Sequence, residues 1–354
     1  MTGPGRNRPQ RIGDVTGRNK TAPRTLDDSA SVATMRSMGV ADDVLGRLAA
    51  GGVVIVDGGT GSQLQAEGVP MDQVAWSARA NLSHPGAVRR VHEQYVRAGA
   101  EVIIANTYAA SRAALEPAGL GGEVARVNRS AMRAALNARD AAASRQVAVA
   151  GSMSSFCPVV MDAAALGSPL DGPAADDPRF PGLADFREQA ELLAEAGADL
   201  IALEMIEARG YGGAAVQAAG ETGLPVWLGI SPVRLPDGTL GTLPELGDGE
   251  AFEDLLSALA APSLAAVTVM HARPELTLDA ITIIRRHYAG PIGVYAETGE
   301  WTPPNWVFTG LTPQQYLAEA VTWAGHGAQL IGGCCGTGPE HIALLAARLA
   351  RSAG

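Results

Sequence analysis

The chain has 354 residues, 47% hydrophobic, 18% charged and 5% aromatic, with 3 cysteines. This globular profile has too few cysteines for a disulfide scaffold and no run of 18 apolar residues to cross a membrane as a helix. The net charge of −10 divides into seven basic and three acidic residues over Met1 to Ser37 and 20 basic against 34 acidic over the remainder, and so acidic a body argues against nucleic acid as a partner.

In chain order, the N-terminal segment comes first. Arg6, Arg8, Arg11, Arg18, Lys20 and Arg24 lie among Gly, Pro, Asn and Thr, without the apolar periodicity needed to pack. Residues 1–37 are therefore predicted to be a disordered basic tail, and 38–354 a single domain. The tail has no apolar stretch of a secretory signal; an Arg-rich organellar presequence and a true start at Met35 or Met38 both stay open. Lys20 is the only lysine of the chain, so Schiff-base chemistry or a lysine base in the body is excluded.

From Val53 onward, short β-branched runs alternate with helix-period stretches. The predicted strands are Val53 to Asp57, Glu101 to Asn106, Gln146 to Gly151, Asp199 to Glu204, Pro225 to Ser231, Ala265 to Met270, Pro291 to Tyr295 and Gln329 to Gly333. A representative helix is Pro85 to Ala98, with Ser83 as its predicted cap and Val88, Val91, Tyr95 and Val96 at helical spacing. Eight strands alternating with helices predict an α/β fold, a (β/α)₈ TIM barrel in one domain. A weak repeat agrees: Arg97-Ala-Gly-Ala-Glu-Val-Ile, Glu195-Ala-Gly-Ala-Asp-Leu-Ile and His326-Gly-Ala-Gln-Leu-Ile each place Gly where a helix needs a left-handed stop before a strand. The alternative, an open doubly wound sheet, would usually carry a phosphate-binding turn after its first strand. Asp57-Gly-Gly-Thr-Gly-Ser has neither the lysine of a P-loop nor the spacing of a dinucleotide fingerprint. The long irregular stretch Val159 to Gly182 reads as a functional lid or an insertion.

Barrel active sites lie at the carboxyl ends of the strands. Those ends read Asp57, Asn106-Thr107-Tyr108, Ser152, Glu204, Ser231, His271, Glu297 and Cys334-Cys335. Adjacent cysteines are by default small buried hydrophobes, and a vicinal disulfide is a rarer reading. Flanking glycines at a strand end, however, let both sulfurs face one point, and a metal site then needs a third ligand. His271 alone of the six histidines ends a strand; the others fall in helices or at helix ends, where solvated or capping roles are expected. A strand-end histidine is more often structural, yet imidazole with two thiolates would suit Zn²⁺ with one open position. Asp57 could bond the amides of its own Gly-Gly turn and Glu204 could pair with a cation, or both carboxylates could take a substrate ammonium. Trp76 and Tyr108 are either packing aromatics or π-faces for a sulfonium or quaternary ammonium methyl donor.

These residues resemble the homocysteine S-methyltransferase family, which includes betaine–homocysteine and S-methylmethionine–homocysteine methyltransferases. The matching pieces are Val56-Asp57-Gly58-Gly59-Thr60-Gly61, Trp76-Ser77-Ala78, Arg97 through Tyr108, Ala196 through Glu204, Val294-Tyr295 with Thr298-Gly299-Glu300, and Leu330-Ile331-Gly332-Gly333-Cys334-Cys335-Gly336. The resemblance implies a zinc-bearing barrel that binds a thiol at the metal and methylates it, with Cys334 and Cys335 as ligands and Asp57 and Glu204 on the homocysteine amino group. The chain departs from the family pattern where an Asn-Cys segment would end strand six, since it has Met270-His271. It departs again at Glu297, where the family often has Asn, and in Ser152-Met-Ser-Ser-Phe-Cys157. Cys157 is read as a stray core residue in preference to a substitute ligand.

The expected activity is zinc-dependent methyl transfer from a sulfonium, ammonium or similar donor to a small-molecule thiol, most simply homocysteine to give methionine. Metal ligands would be His271, Cys334 and Cys335; substrate-binding residues Asp57, Glu204, Trp76 and Tyr108; catalytic carboxylates Asp57, Glu204 and Glu297. A cytoplasmic location, no nucleic acid or membrane partner, and compatibility with a homo-oligomer complete the expectation. Two alternatives remain on sequence alone: a metal-dependent hydrolase or lyase using Glu297 as base, and a non-catalytic metabolite-binding homologue.

Overall fold

In a computed structural model, residues 1, 28–156, 179–244, 246, 249–302, 305–307 and 310–350 are described. The expected disorder of residues 2–27, the role of Cys157 and most of the Val159 to Gly182 loop lie outside them. A helix spans Asp28–Ala49, across the predicted tail boundary at residue 37.

All eight predicted strands form: β1 (Val54–Ile55), β2 (Val102–Ile104), β3 (Ala148–Ser154), β4 (Leu200–Glu204), β5 (Val226–Ile230), β6 (Ala266–Met270), β7 (Ile292–Tyr295) and β8 (Ala328–Ile331). Every neighbouring pair is parallel, in the order β1-β8-β7-β6-β5-β4-β3-β2. A parallel bridge from Val56 to Val102 brings β2 against β1 and closes the barrel. β3 runs three residues past its predicted end.

The period of two along each strand sorts the side chains. Val54, Val102, Ala148, Ala150, Leu200, Ala202, Trp227, Ala266 and Leu330 form the inner cluster, where small alanines leave room for one tryptophan. Val44 and Leu48 of the first helix join this cluster. Ile55, Ile103, Val149, Ile201, Leu228, Val267 and Val294 belong instead to the core between strands and helices. The same alternation turns Glu204 inward, two residues after Ala202.

The glycines of the repeat behave as predicted. Gly99, Gly197 and Gly327 have φ of 116°, 93° and 92°, and each ends a helix just before a strand. Ser83 does not cap the Pro85–Ala98 helix, whose N-cap is His84. It instead ends the short helix Ala80–Ser83, and its hydroxyl donates to the Arg79 carbonyl at 3.1 Å. One of the helical histidines departs from expectation: His92 is fully buried with neither ring nitrogen hydrogen-bonded. His341 takes the expected capping role, its Nδ1 accepting the N–H of the N-cap residue Gly338 at 3.1 Å while Nε2 lies 3.1 Å from the Leu311 carbonyl.

Candidate active site

The strand ends surround a cavity of about 270 Å³. Every sequence-predicted site residue lines it: Asp57, Trp76, Tyr108, Glu204, His271, Glu297, Cys334 and Cys335.

The backbone beyond the last three strands holds the cluster rigidly. His271 N–H donates to the Tyr295 carbonyl (3.3 Å), Cys334 N–H to Ala296 (3.0 Å), Glu297 N–H to Ala272 (3.0 Å) and Thr298 N–H to Cys335 (2.8 Å). The buried Tyr316 hydroxyl lies 3.0 Å from the Ala296 carbonyl and 2.7 Å from that of Gly332, tying the ends of β7 and β8 together. Gly336, at φ 82°, turns the chain back after the cysteines.

His271 itself has φ 45°, a left-handed conformation that costs a non-glycine residue about 1 kcal/mol. Met270 ends the strand, and the reversal of φ swings the next side chain into the cavity. Trp76 (44°) and Met205 (51°) share this rare positive φ and line the same cavity. Among the described residues, all three non-glycine positions of positive φ are therefore at the site.

One ligand atom each from His271, Cys334 and Cys335 lies within 4.8 Å of the others. His271 Nδ1 and Cys334 Sγ are 3.6 Å apart. Zinc bonds of about 2.05 Å to nitrogen and about 2.3 Å to sulfur at a tetrahedral angle give an edge of about 3.6 Å, so the spacing fits a metal. Glu297 Oε2 is 3.2 Å from Nδ1 and has no aligned hydrogen bond. Burial opposes charge on His271, but the Glu297 carboxylate and Cys334 outweigh it and push the imidazole up to about 10. The hydrogen bond from Cys335 and the adjacent imidazole pull Cys334 well below the usual thiol range, whereas the neighbouring Cys334 sulfur and burial push Cys335 up.

Two carboxylates face the cavity beside this cluster. Asp57 is 1% exposed, and its Oδ2 accepts the Ile104 N–H at 2.9 Å, not an amide of its own glycine turn. Glu204 accepts the Ser152 hydroxyl, and no salt bridge reaches it among the described residues. Burial raises Asp57 well above the carboxylate range and Glu204 to about 8. Two inward, uncompensated carboxylates call for a cation.

Apart from Thr60, Asn106 and the glycines, the rest of the described lining is apolar or aromatic. Trp76 packs edge-on against Tyr108 with centroids 6.2 Å apart, and Tyr108 against Phe156 at 5.4 Å. The Trp76 ring lies directly over Gly61. Phe156, Met205, Leu243 and Leu246 complete the wall.

The homocysteine S-methyltransferase profile matches residues 54–349. The chain belongs to this family. It is 32% identical over 328 residues to homocysteine S-methyltransferase 1 of Zea mays, covering 86% of this chain and 96% of that one. It is 28% identical over 322 residues to a selenocysteine methyltransferase of Astragalus bisulcatus, covering 83% and 91%. Among solved structures it is similar to the metallated homocysteine methyltransferase MmuM of Escherichia coli, with TM-score 0.65, 26% identity and coverage of 84% and 96%. The protein is thus a methyltransferase of this family, and the hydrolase, lyase and metabolite-binding alternatives find no support in these relatives.

Two of the three departures from the family pattern, His271 and Glu297, meet at one point in space. Sequence reasoning missed Phe156, Met205, Leu243 and Leu246, which are ordinary apolar residues beyond strand ends. It also missed Glu207, a wholly buried carboxylate three residues past Glu204; an acid in an otherwise apolar stretch was the available signal.

Proposed function

We propose that this homocysteine S-methyltransferase family member moves a methyl group from a cationic sulfonium or ammonium donor to the thiol of homocysteine, giving methionine. The reading rests on one observation: a cavity that gathers an imidazole and two thiols at metal-binding spacing also presents two buried carboxylates and an aromatic wall, with no Lys or Arg among the described residues that line it.

His271, Cys334 and Cys335 would hold zinc, the choice that soft sulfur with imidazole favours. Zinc bound there would supply the Lewis acidity that keeps the acceptor sulfur as a thiolate at neutral pH. Asp57 and Glu204 anchor the acceptor ammonium, which fixes the sulfur's direction. Trp76 and Tyr108 face the donor cation with their π-systems. The new sulfur–carbon bond forms as the donor–methyl bond breaks in line, its electron pair leaving with the donor heteroatom. With no proton in flight, alignment and placement of charge carry the rate.

A cytoplasmic location belongs to the same reading, because the thiols must stay reduced. No described helix is long and apolar enough to cross a membrane.

The test is zinc analysis of the purified protein together with methyl transfer to homocysteine from several donors. We expect about one zinc per chain, methionine formation, and loss of both in Cys334→Ser. A zinc-free protein, or full transfer by Cys334→Ser, overturns the proposal.

A further inference from the structure

Glu207 lies just past the end of β4, 0% exposed, and is absent from the cavity lining. Its two carboxylate oxygens accept from two separate segments: Oε1 from Ser231 N–H at 2.9 Å and Oε2 from Leu243 N–H at 3.2 Å. Tyr211, in the helix Arg209–Glu221, continues the tie. Its hydroxyl accepts the N–H of Glu207 itself (3.0 Å) and donates to the Leu246 carbonyl (2.6 Å).

The tethered segment leaves the barrel after β5. It makes a small hairpin, Val233–Arg234 with Leu240–Gly241, and returns through a bridge from Gly241 to Ala251 and a bond from Thr242 N–H to the Glu250 carbonyl (3.0 Å). Between those points, Leu243 and Leu246 face the cavity. If His271, Cys334, Cys335, Asp57 and Glu204 serve the acceptor, these leucines border what is left for the donor.

A buried charge held by neutral donors, here two backbone amides and the Ser231 hydroxyl, is an expensive solution. Burial pushes the Glu207 carboxyl up to about 7, and no salt bridge reaches it among the described residues. Its geometric advantage is particular. A carboxylate accepts on both oxygens, whereas a glutamine of the same shape accepts on one and turns an N–H toward the other amide.

We propose that Glu207 is a positioning residue for donor selection: by clamping the Leu243 amide to the end of β5, it fixes Leu243 and Leu246 as the wall against which the donor's alkyl groups fit. Glu207 touches neither substrate. The proposal deepens the methyl-transfer reading and rests on it.

The experiment compares wild type, Glu207→Gln and Leu243→Ala, each zinc-loaded, using methyl sulfonium donors of increasing alkyl bulk at saturating homocysteine. In Glu207→Gln we expect the donor KM to rise about tenfold and discrimination by bulk to shrink, with homocysteine KM and zinc content unchanged. Hydrogen exchange at the Leu243 amide should accelerate in the same variant. Leu243→Ala should lose the same discrimination with Glu207 in place, which keeps the test open if Glu207→Gln does not fold. Unchanged donor selectivity in either folded variant overturns the inference, as does a parallel loss of zinc or homocysteine binding in Glu207→Gln. Absence of methyl transfer in wild type would defeat the parent reading instead, and the Leu243 exchange rate would still report on the clamp.

Discussion

Glu297 Oε2 stands 3.2 Å from Nδ1 of His271, the nitrogen that also faces Cys334 Sγ at 3.6 Å. The pair joins the ends of adjacent strands β6 and β7. A neutral imidazole where the family pattern has a thiolate removes one negative charge from the metal site, and the carboxylate on the next strand returns it. Charged groups around a first set of ligands commonly change metal affinity by about 10–100-fold. Glu297→Gln should therefore weaken zinc binding by about that factor, measured by chelator competition. Equal affinity in the two proteins would separate Glu297 from the metal.

With Glu204 holding the acceptor ammonium as proposed, acceptor binding should depend on pH. Burial first, then the nearby Cys334 charge, hold its carboxyl at about 8 in the free protein, so at pH 7 it is largely neutral. An ammonium needs the carboxylate form. Binding therefore carries a deprotonation cost below pH 8, and homocysteine affinity should rise by up to about tenfold per pH unit until it levels above 8. Glu204→Gln should flatten that slope and weaken binding by roughly 10–100-fold. Calorimetric titration with homocysteine in the absence of donor measures both; a pH-independent wild type would contradict the assignment.

His92 makes a prediction about stability. Burial alone lowers it from 6.5 to about 4. The sign follows from proton uptake: between pH 6.5 and 4 the unfolded chain binds a proton that the folded protein refuses, so stability is unaffected above 6.5 and falls as pH drops toward 4. At about 1.36 kcal/mol per unit, the loss reaches about 3 kcal/mol. Denaturant unfolding across this range should show it, and His92→Leu should be less sensitive to acid by that amount.

Gly61 supports the aromatic wall. A Cβ at this position would run into the Trp76 ring, so Gly61→Ala must displace the indole. Overpacking of this kind costs about 1–3 kcal/mol. Donor KM should rise while zinc content stays at the wild-type value, as read by steady-state kinetics and metal analysis. An unchanged donor KM would mean that Trp76 does not meet the donor.

Local signals carried much of the outcome. The Gly99, Gly197 and Gly327 turns were legible because only glycine enters the left-handed region cheaply, and the β-branched runs between them could pair only in parallel. Asp57, Glu204, His271, Cys334 and Cys335 were legible because a polar residue at the end of a buried strand has few other uses. Ser83 misled because a short helix, Ala80–Ser83, abuts the longer Pro85–Ala98, and the residue expected to cap the second is the last residue of the first. His92 misled because the helical pattern says which face is apolar but not how far a neighbouring helix covers its edge.

By itself, then, the sequence determined the barrel, its catalytic end and the chemistry gathered there, since strand period, glycine placement and ligand type are encoded residue by residue. Tertiary structure alone decided that His271 turns into the cavity at φ 45°, that Glu297 meets it, and that Glu207 reaches across to Leu243. Those relations join residues on different strands and loops. Their energies depend on distances of a few ångströms and on burial, and neither exists until the barrel closes.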